Sequence, residues 1–232
     1  MDDLTLATPE QGSDTAAEAK ALPNPHELAT QLVAKLCHDF ISPTGAIISG
    51  LDLLSDPSAQ DMRDDAVNLI QTSATKLVTL VHFARVAFGA ATSAEAFSAR
   101  ELNKSLSDVF STMRANLEFD IDDTVVFEKP AARALMNLGY IAGNALPTGG
   151  TATLRREETE DAIVLTSESK GPRARLKPEA IEGLSGQPLS DGLSGQWIQP
   201  FWLYSVVNEA GGTLDIVSET DSLSFKIVLP KK

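Results

Sequence analysis

Large apolar residues recur at helical intervals through two successive segments near the start of the chain. In the first segment, from Pro25 to Leu54, they form one stripe of Leu28, Leu32, Leu36, Phe40, Ile47, Leu51 and Leu54. The second segment runs to about Gly89 and carries a stripe of Met62, Ala66, Leu69, Ser73, Leu77, Leu80 and Ala84. Because Ser55-Asp56-Pro57-Ser58 interrupts the pattern, the sequence predicts a hairpin of two long amphipathic helices.

The two predicted helices carry apolar stripes that a hairpin alone does not cover. No third helix of similar length follows nearby in the sequence. A second copy of the chain is the obvious way to close such a core. We therefore expect residues 25–90 to form a helical-hairpin dimerisation domain, with a four-helix bundle across a homodimer.

After an Ala- and Ser-rich segment from Ala90 to Ala99, the pattern changes to alternating helices and strands. Helices are predicted near Arg100–Leu117, Ala131–Ala145 and Gln199–Ala210. Strands are predicted near Thr124–Phe127, Thr151–Arg155, Ala162–Thr166, Thr213–Ser218 and Ser222–Leu229. The sequence therefore predicts a second, α+β domain over residues 98–232.

Composition and charge narrow the classes of partner. Residues 1–24 are rich in small and polar residues, which predicts a disordered tail. The formal net charge of -13 over 232 residues opposes contact with phosphate backbones, so we expect no nucleic-acid partner. The single cysteine, Cys37, cannot form an intramolecular disulfide, and no apolar run is long enough to cross a bilayer. We expect a cytoplasmic protein without a membrane partner.

His38 lies on the first predicted helix, two positions from both Leu36 and Phe40. Two residues rotate a helix by roughly 200°, so the imidazole should point away from the buried stripe and into water. An imidazole keeps a lone pair available near neutral pH and can attack phosphorus without a bound metal. Most exposed histidines on helices have no such role, and we interpret His26 and His82 in that way.

The segment from His38 to Pro43 resembles the phosphoacceptor box of two-component histidine kinases. In that box an acidic residue follows the histidine and a proline stands five positions on. Asp39 can accept a hydrogen bond from a ring nitrogen of His38 and so fix the tautomer that attacks phosphorus. We take His38 as the candidate phosphoacceptor and Asp39 as the residue that orients it. A thiol nucleophile at Cys37 is disfavoured, because adjacent helical residues point about 100° apart.

The second domain resembles the ATP-binding domain of the same kinases. The segment from Ala134 to Gly150 is similar to the asparagine box and the turn after it, with Asn144 at the position that holds magnesium in kinases. The segment around Gly171 is similar to the first glycine box. There Ser169 and Arg173 replace an aspartate that binds adenine and a second glycine.

Two larger side chains stand where the second glycine box would be. Trp197 and Gln199 occupy positions at which that box has glycines. Those glycines let backbone amides approach phosphate closely, and a tryptophan fills the same space. We therefore expect no useful ATP binding, no bound cofactor and no metal site in this chain.

An acceptor helix followed by an eroded nucleotide domain resembles the ChpT family of histidine phosphotransferases over residues 25–232. The resemblance implies a homodimeric bundle followed by a degenerate histidine-kinase ATPase domain, an α/β sandwich. It also implies a cell-cycle phosphorelay. Phosphate would pass from the receiver domain of a hybrid histidine kinase to response regulators similar to CtrA and CpdR. The resemblance places Mg²⁺ in the partner receiver domain.

A local basic run of Lys170, Arg173, Arg175 and Lys177 lies where the nucleotide-binding face is lost. Receiver domains carry an acidic phosphorylation pocket, so this run is a candidate partner-binding site that steers or anchors them. Lys35 and Ser42, near His38 on the first helix, complete the candidate partner-binding set. Solvated loop charges without a partner are an equally weighted alternative.

Two other functions remain open from the sequence. An ATP-dependent histidine kinase fragment would use Asn144 and would phosphorylate itself from ATP alone. A noncatalytic dimeric adaptor would bind response regulators and keep His38 only as an inherited residue. The hypothesis that we carry forward is reversible phosphoryl transfer through a phosphohistidine at His38, without ATP.

Overall fold

A computed structural model of the chain describes residues 21–89 and 96–231. Two long helices, α1 (Pro25–Ser55) and α2 (Arg63–Ala87), are joined through a short 3-10 turn at Gln60–Met62 and pack against each other. The elements that follow are β1 (Ala96–Ser98), α3 (Ala99–Phe110), β2 (Ala115–Asp120), β3 (Val126–Glu128), α4 (Lys129–Asn144), β4 (Gly150–Glu158), β5 (Ala162–Lys170), α5 (Pro178–Leu184), α6 (Ser194–Glu209), β6 (Thr213–Glu219) and β7 (Ser222–Pro230). The predicted order of a helical hairpin and then an α/β domain is confirmed.

The start of α1 is determined by a capping box. Asn24 Oδ1 accepts hydrogen bonds from the backbone amides of His26 and Glu27, both at 3.0 Å. The Glu27 carboxylate in return accepts from the Asn24 amide at 2.9 Å, and Pro25 occupies the first helical turn. The predicted disordered tail falls largely on residues 1–20, which lie outside the described residues, as do residues 90–95 of the predicted domain boundary.

The C-terminal domain is a mixed sheet covered on one side by helices. Its five described strands have the order β2-β4-β5-β7-β6, in which only the β2–β4 pair is parallel. A separate two-stranded pair joins β1 to β3. Helix α4 contacts the sheet, α3 and α6, and its residues from Ala131 to Gly143 are almost all buried. The hydrophobic core therefore lies between the sheet and the layer that contains α4.

Buried hydrogen bonds attach this domain to the end of the hairpin. The Ala87 carbonyl, at the end of α2, accepts from Asn137 Nδ2 at 2.8 Å and from Trp202 Nε1 at 2.9 Å. Gln199 Nε2 donates to Asn137 Oδ1 at 3.2 Å. Asn137 and Gln199 are both almost fully buried, so these bonds form away from water, where leaving them unmade is costly. The hairpin and the C-terminal domain therefore share one interface.

The helix predicted over Arg100–Leu117 was too long. Helix α3 ends at Phe110, and Leu117 lies in β2. Along β2 the side chains alternate between more and less buried, and the strand pairs in parallel with β4. The short elements β1 and α5 were not predicted, and α6 begins at Ser194, before the predicted Gln199.

The cap of α3 provides a pH-dependent test of this fold. The Ser98 backbone amide and hydroxyl both donate to the Glu101 carboxylate, which lowers the pKa of Glu101 below its ordinary value of 4.5. A carboxyl with a lowered folded pKa stabilises the fold above its unfolded pKa, and this stability is lost as the pH falls through the folded value. Ser98→Ala should cost about 1 kcal/mol of unfolding free energy at neutral pH.

The part of that loss that comes from the hydroxyl–carboxylate bond should shrink as the pH falls below 4.5 and through the lowered pKa of folded Glu101. Urea unfolding of the wild type and Ser98→Ala at several pH values measures this loss of unfolding free energy. Glu101→Gln is the matched control, because an amide at this position does not titrate there. A Ser98→Ala penalty that is equal at neutral and acidic pH would contradict the hydrogen bond from the Ser98 hydroxyl to the Glu101 carboxylate.

No helix among residues 21–89 and 96–231 is both long enough and apolar enough to cross a membrane.

Candidate active site

His38 projects from α1 into solvent. Its side chain is 87% exposed, and Nδ1 lies 3.5 Å from Asp39 Oδ1. This is the position that the spacing from Leu36 and Phe40 predicts, since both of those residues are partly buried and pack against the core. With Nδ1 turned toward a carboxylate, Nε2 is the ring nitrogen that remains accessible to another molecule. A proton on Nδ1 would leave the Nε2 lone pair free.

Asp39 is held by a second contact from the same helix. Its Oδ2 accepts a hydrogen bond from Lys35 Nζ at 2.6 Å, one turn earlier. The Asp39 side chain is 26% exposed, whereas the Lys35 side chain is only 8% exposed. Each carboxylate oxygen therefore has its own partner, Oδ1 facing the imidazole of His38 and Oδ2 facing an ammonium group.

Lys35 is also in contact with the C-terminal domain. Its Nζ lies 5.4 Å from the centre of the Tyr140 ring on α4, within the range of a cation–π contact. The Tyr140 ring in turn packs against Phe83 of α2, with ring centres 5.2 Å apart. Lys35 was predicted to bind a partner, but its ammonium group contacts Asp39 and Tyr140 within the chain. Tyr140 was not predicted as a site residue, because no motif around it points to His38.

The predicted basic run does not form one patch. Arg175 and Lys177 line a cleft of about 180 Å³, together with Lys35, Tyr140, Asn144 and the start of α6. Lys170 instead forms an ion pair with Glu168 at 2.7 Å. Arg173 occupies a turn with φ +60°, where its backbone amide donates to Asp221 at 2.7 Å. Ser42 is exposed on α1. The structure therefore brings Lys35, Arg175 and Lys177 together and leaves the other predicted residues outside this cleft.

Comparisons with known proteins agree with this architecture. The family model described as "Histidine phosphotransferase C-terminal domain" matches residues 99–222. The protein phosphotransferase ChpT of Brucella abortus (strain 2308) is 30% identical over 202 residues, which are 86% of this chain and 94% of that protein. The chain belongs to the histidine phosphotransferase family.

The phosphotransferase is also similar to solved structures. A bacterial phosphotransferase is similar with a TM-score of 0.79 and 26% identity, over 90% of this chain and all of the other. The histidine kinase AdeS of Acinetobacter baumannii also matches, with a TM-score of 0.45 and 15% identity over 90% of this chain and 98% of that one. The phosphotransferase acts in a phosphorelay through a histidine, and response regulators are its partners.

In the phosphotransferase, Trp197 and Gln199, which the sequence resemblance placed at glycine positions, lie in the interior. Trp197 is 1% exposed, stacks on Phe201 with ring centres 4.4 Å apart, and donates from Nε1 to the Gln187 carbonyl at 2.9 Å. Gln199 is 2% exposed and donates to Asn137. The cleft that remains is smaller than the roughly 300 Å³ at which small-molecule sites usually begin. The Trp197 and Gln199 side chains are therefore both part of the packed interior.

Other residues of the eroded boxes also bond within the fold of the phosphotransferase. Asn144 Nδ2 donates to the Tyr140 carbonyl at 2.8 Å, and the buried Ser169 hydroxyl donates to the Ala142 carbonyl at 3.1 Å. Within the part of the chain that the structure describes, no cluster of three His, Cys, Asp or Glu side chains is arranged to hold a metal ion.

Proposed function

We propose that His38 is the phosphoacceptor of this phosphotransferase, and that it takes phosphate from the receiver domain of a hybrid histidine kinase. It then passes the phosphate to the receiver domains of response regulators similar to CtrA and CpdR. The observation that carries this proposal is an imidazole that is 87% exposed and has its Nδ1 against a carboxylate oxygen. Such a group can enter the active site of another protein with Nε2 leading.

The transfer would begin with attack of the His38 Nε2 lone pair on the phosphorus of an aspartyl phosphate. An N–P bond forms, the acyl P–O bond breaks, and its electron pair leaves with the receiver carboxylate. The imidazole becomes a positively charged phosphoimidazolium that keeps its proton on Nδ1. Asp39 Oδ1 stands on that side and stabilises the charge. In the second step another receiver's carboxylate attacks phosphorus, and the N–P electron pair returns to Nε2.

In this proposal the chain itself binds no cofactor, and Mg²⁺ is held by the receiver domain, where it neutralises the transferring phosphoryl group. Arg175 and Lys177 give the cleft beside α1 a positive character in a chain whose formal net charge is -13. An acidic receiver surface would be attracted to such a cleft, which mainly raises the rate of association. Lys170, Arg173 and Ser42 would contribute at the edge of that contact.

We also propose that a second copy of the chain completes the hairpin as a four-helix bundle. Helices α1 and α2 expose large apolar side chains to solvent: Val33, Ile41, Ile48, Leu51, Val67, Leu69, Val78 and Val81. An exposed apolar surface along a hairpin is unfavourable in water and is typical of a helical interface. A symmetric pairing of two hairpins would bury such side chains in a common core.

Ile48→Glu should separate the proposed dimer into monomers. A carboxylate placed in an apolar helical interface loses its hydration, so we expect the dimer to weaken by at least about 100-fold. Sedimentation velocity across the micromolar range measures the change. Ile181→Glu is the matched control, because Ile181 is 50% exposed on α5, outside the hairpin, compared with 55% for Ile48. A wild-type chain that sediments as a monomer at all of these concentrations would contradict the dimer.

The proposed function is tested by phosphoryl transfer without ATP. The receiver domain of a CtrA-type response regulator is labelled with radioactive acetyl phosphate and Mg²⁺, freed of excess acetyl phosphate, and mixed with the purified chain. Label should move from the receiver to the chain. Label that stays on the receiver, or that moves to a His38→Ala variant equally well, would contradict the proposal.

The same purified proteins distinguish the proposed function from the two alternative functions. A kinase fragment would incorporate label from radioactive ATP with no receiver present, whereas the proposed phosphotransferase would not. A noncatalytic adaptor would bind the receiver without acquiring label. A second receiver added to the labelled chain should then gain the label, which completes both halves of the relay.

A further inference from the structure

We propose that Tyr140 is a positioning residue for phosphoryl transfer. Its ring holds Lys35, and Lys35 holds Asp39 beside His38, so the degenerate ATPase-like domain fixes the geometry of a histidine that it does not touch. This inference rests on the proposed role of His38. It assigns to the C-terminal domain a part in the reaction beyond folding or partner binding.

The contacts form a continuous series from α4 to the imidazole. Lys35 Nζ is 5.4 Å from the centre of the Tyr140 ring and 2.6 Å from Asp39 Oδ2. Asp39 Oδ1 is then 3.5 Å from His38 Nδ1. Exposure increases along the same path, from 8% for the Lys35 side chain to 26% for Asp39 and 87% for His38. A buried cation therefore anchors one end of a carboxylate whose other end faces the reactive ring.

The strengths of these contacts indicate whether the C-terminal domain is needed to hold the Asp39 side chain in one conformation. An ion pair between residues four apart on a helix favours one side-chain conformation by only about twofold where it is exposed, and by more where, as here, the lysine side chain is 8% exposed. Contact of the cation with an aromatic face contributes about 2- to 30-fold more, depending on how far water is excluded. A lysine free in solvent also samples many rotamers, which burial beneath Tyr140 prevents. Tyr140 therefore adds to the order that the ion pair alone gives Asp39.

Tyr140 itself is fixed by packing on both sides of the domain interface. Its ring packs on Phe83 of α2 at 5.2 Å. On the same helix, Asn137 donates to the Ala87 carbonyl and accepts from Gln199, which stands at a former glycine position. These buried hydrogen bonds hold α4 against the hairpin. They give the C-terminal domain a fixed position from which Tyr140 can act.

The test compares Tyr140→Leu with Tyr140→Phe in the full chain. Leucine removes the aromatic face, whereas phenylalanine keeps it. With the labelled receiver domain described above in excess, we measure the maximal transfer rate and the receiver concentration that gives half of it. Tyr140→Leu should lower the maximal rate about fivefold and leave the half-saturating concentration unchanged, and Tyr140→Phe should transfer at nearly the wild-type rate. Tyr204→Leu removes the only other tyrosine as a matched control.

The dependence on Asp39 distinguishes positioning from a general structural effect. In an Asp39→Asn background, Tyr140→Leu should cause no further loss, because the carboxylate that it positions is absent. Equal losses with and without the Asp39 carboxylate would overturn the inference. A change confined to the half-saturating concentration would do the same, because it would place Tyr140 in receiver docking.

Lys35→Met tests the same series of contacts from its other end. Methionine fills a similar volume without charge, and the maximal rate should again fall about fivefold. This variant decides the outcome if circular dichroism shows that Tyr140→Leu is unfolded. Absence of transfer to the wild-type chain would overturn the proposed function and this inference together. Normal transfer to wild type, Tyr140→Leu and Lys35→Met would overturn the inference alone.

Discussion

His38→Ala should lower phosphoryl transfer from a labelled receiver domain by at least about 1000-fold, because a variant without the nucleophile cannot form the covalent intermediate. The side chain is 87% exposed, so its removal should leave the free energy of unfolding almost unchanged. Single-turnover transfer measures the first effect and urea unfolding measures the second. A large loss of transfer with normal stability would assign the loss to chemistry.

His82→Ala is the matched control for this prediction. His82 is also an exposed histidine on the hairpin, on α2, and we expect its replacement to leave transfer unchanged. The label on wild type should be lost in acid and retained in alkali, as is characteristic of an N–P bond and opposite to an acyl phosphate. Equal loss in both alanine variants, or a label on the chain that is stable in acid, would contradict phosphorylation of His38.

Trp197→Gly should destabilise the fold by about 4 kcal/mol or more. Removal of a buried tryptophan costs about 3–5 kcal/mol, and glycine within a helix adds about 1 kcal/mol. Trp197 is 1% exposed, stacks on Phe201 and donates to the Gln187 carbonyl, so the change removes packing and a hydrogen bond together. The same change would recreate a glycine of the kinase box. We therefore expect Trp197→Gly to be less stable and not to regain a nucleotide site.

Asn208→Gly provides the control for the glycine contribution. Asn208 is exposed near the end of the same helix, α6, and its replacement should cost no more than about 1 kcal/mol. Urea unfolding of both variants and the wild type gives the comparison. A Trp197→Gly variant as stable as Asn208→Gly would show that Trp197 does not support the interior in the way that its contacts indicate.

Periodicity was sufficient for the long helices and for most strands. The apolar stripe from Leu28 to Leu54 predicted α1, which runs from Pro25 to Ser55, because local hydrophobic spacing alone defines an amphipathic helix. Prediction from periodicity failed at β2, where Leu117 and Phe119 follow α3 closely. A short strand that pairs, among the described residues, only with β4 later in the sequence has no local signal that separates it from a continuing helix.

The features of the candidate site also separate into those that the sequence predicted and those that depend on tertiary packing. The sequence by itself determined that His38 faces outward and stands next to Asp39, because both facts follow from positions on one helix. It also indicated that Trp197 and Gln199 replace glycines. Only the tertiary structure decided that these side chains are buried and that Lys35 lies against Tyr140. Those contacts join residues on different helices, and chain packing, which has no sequence period, brings them together.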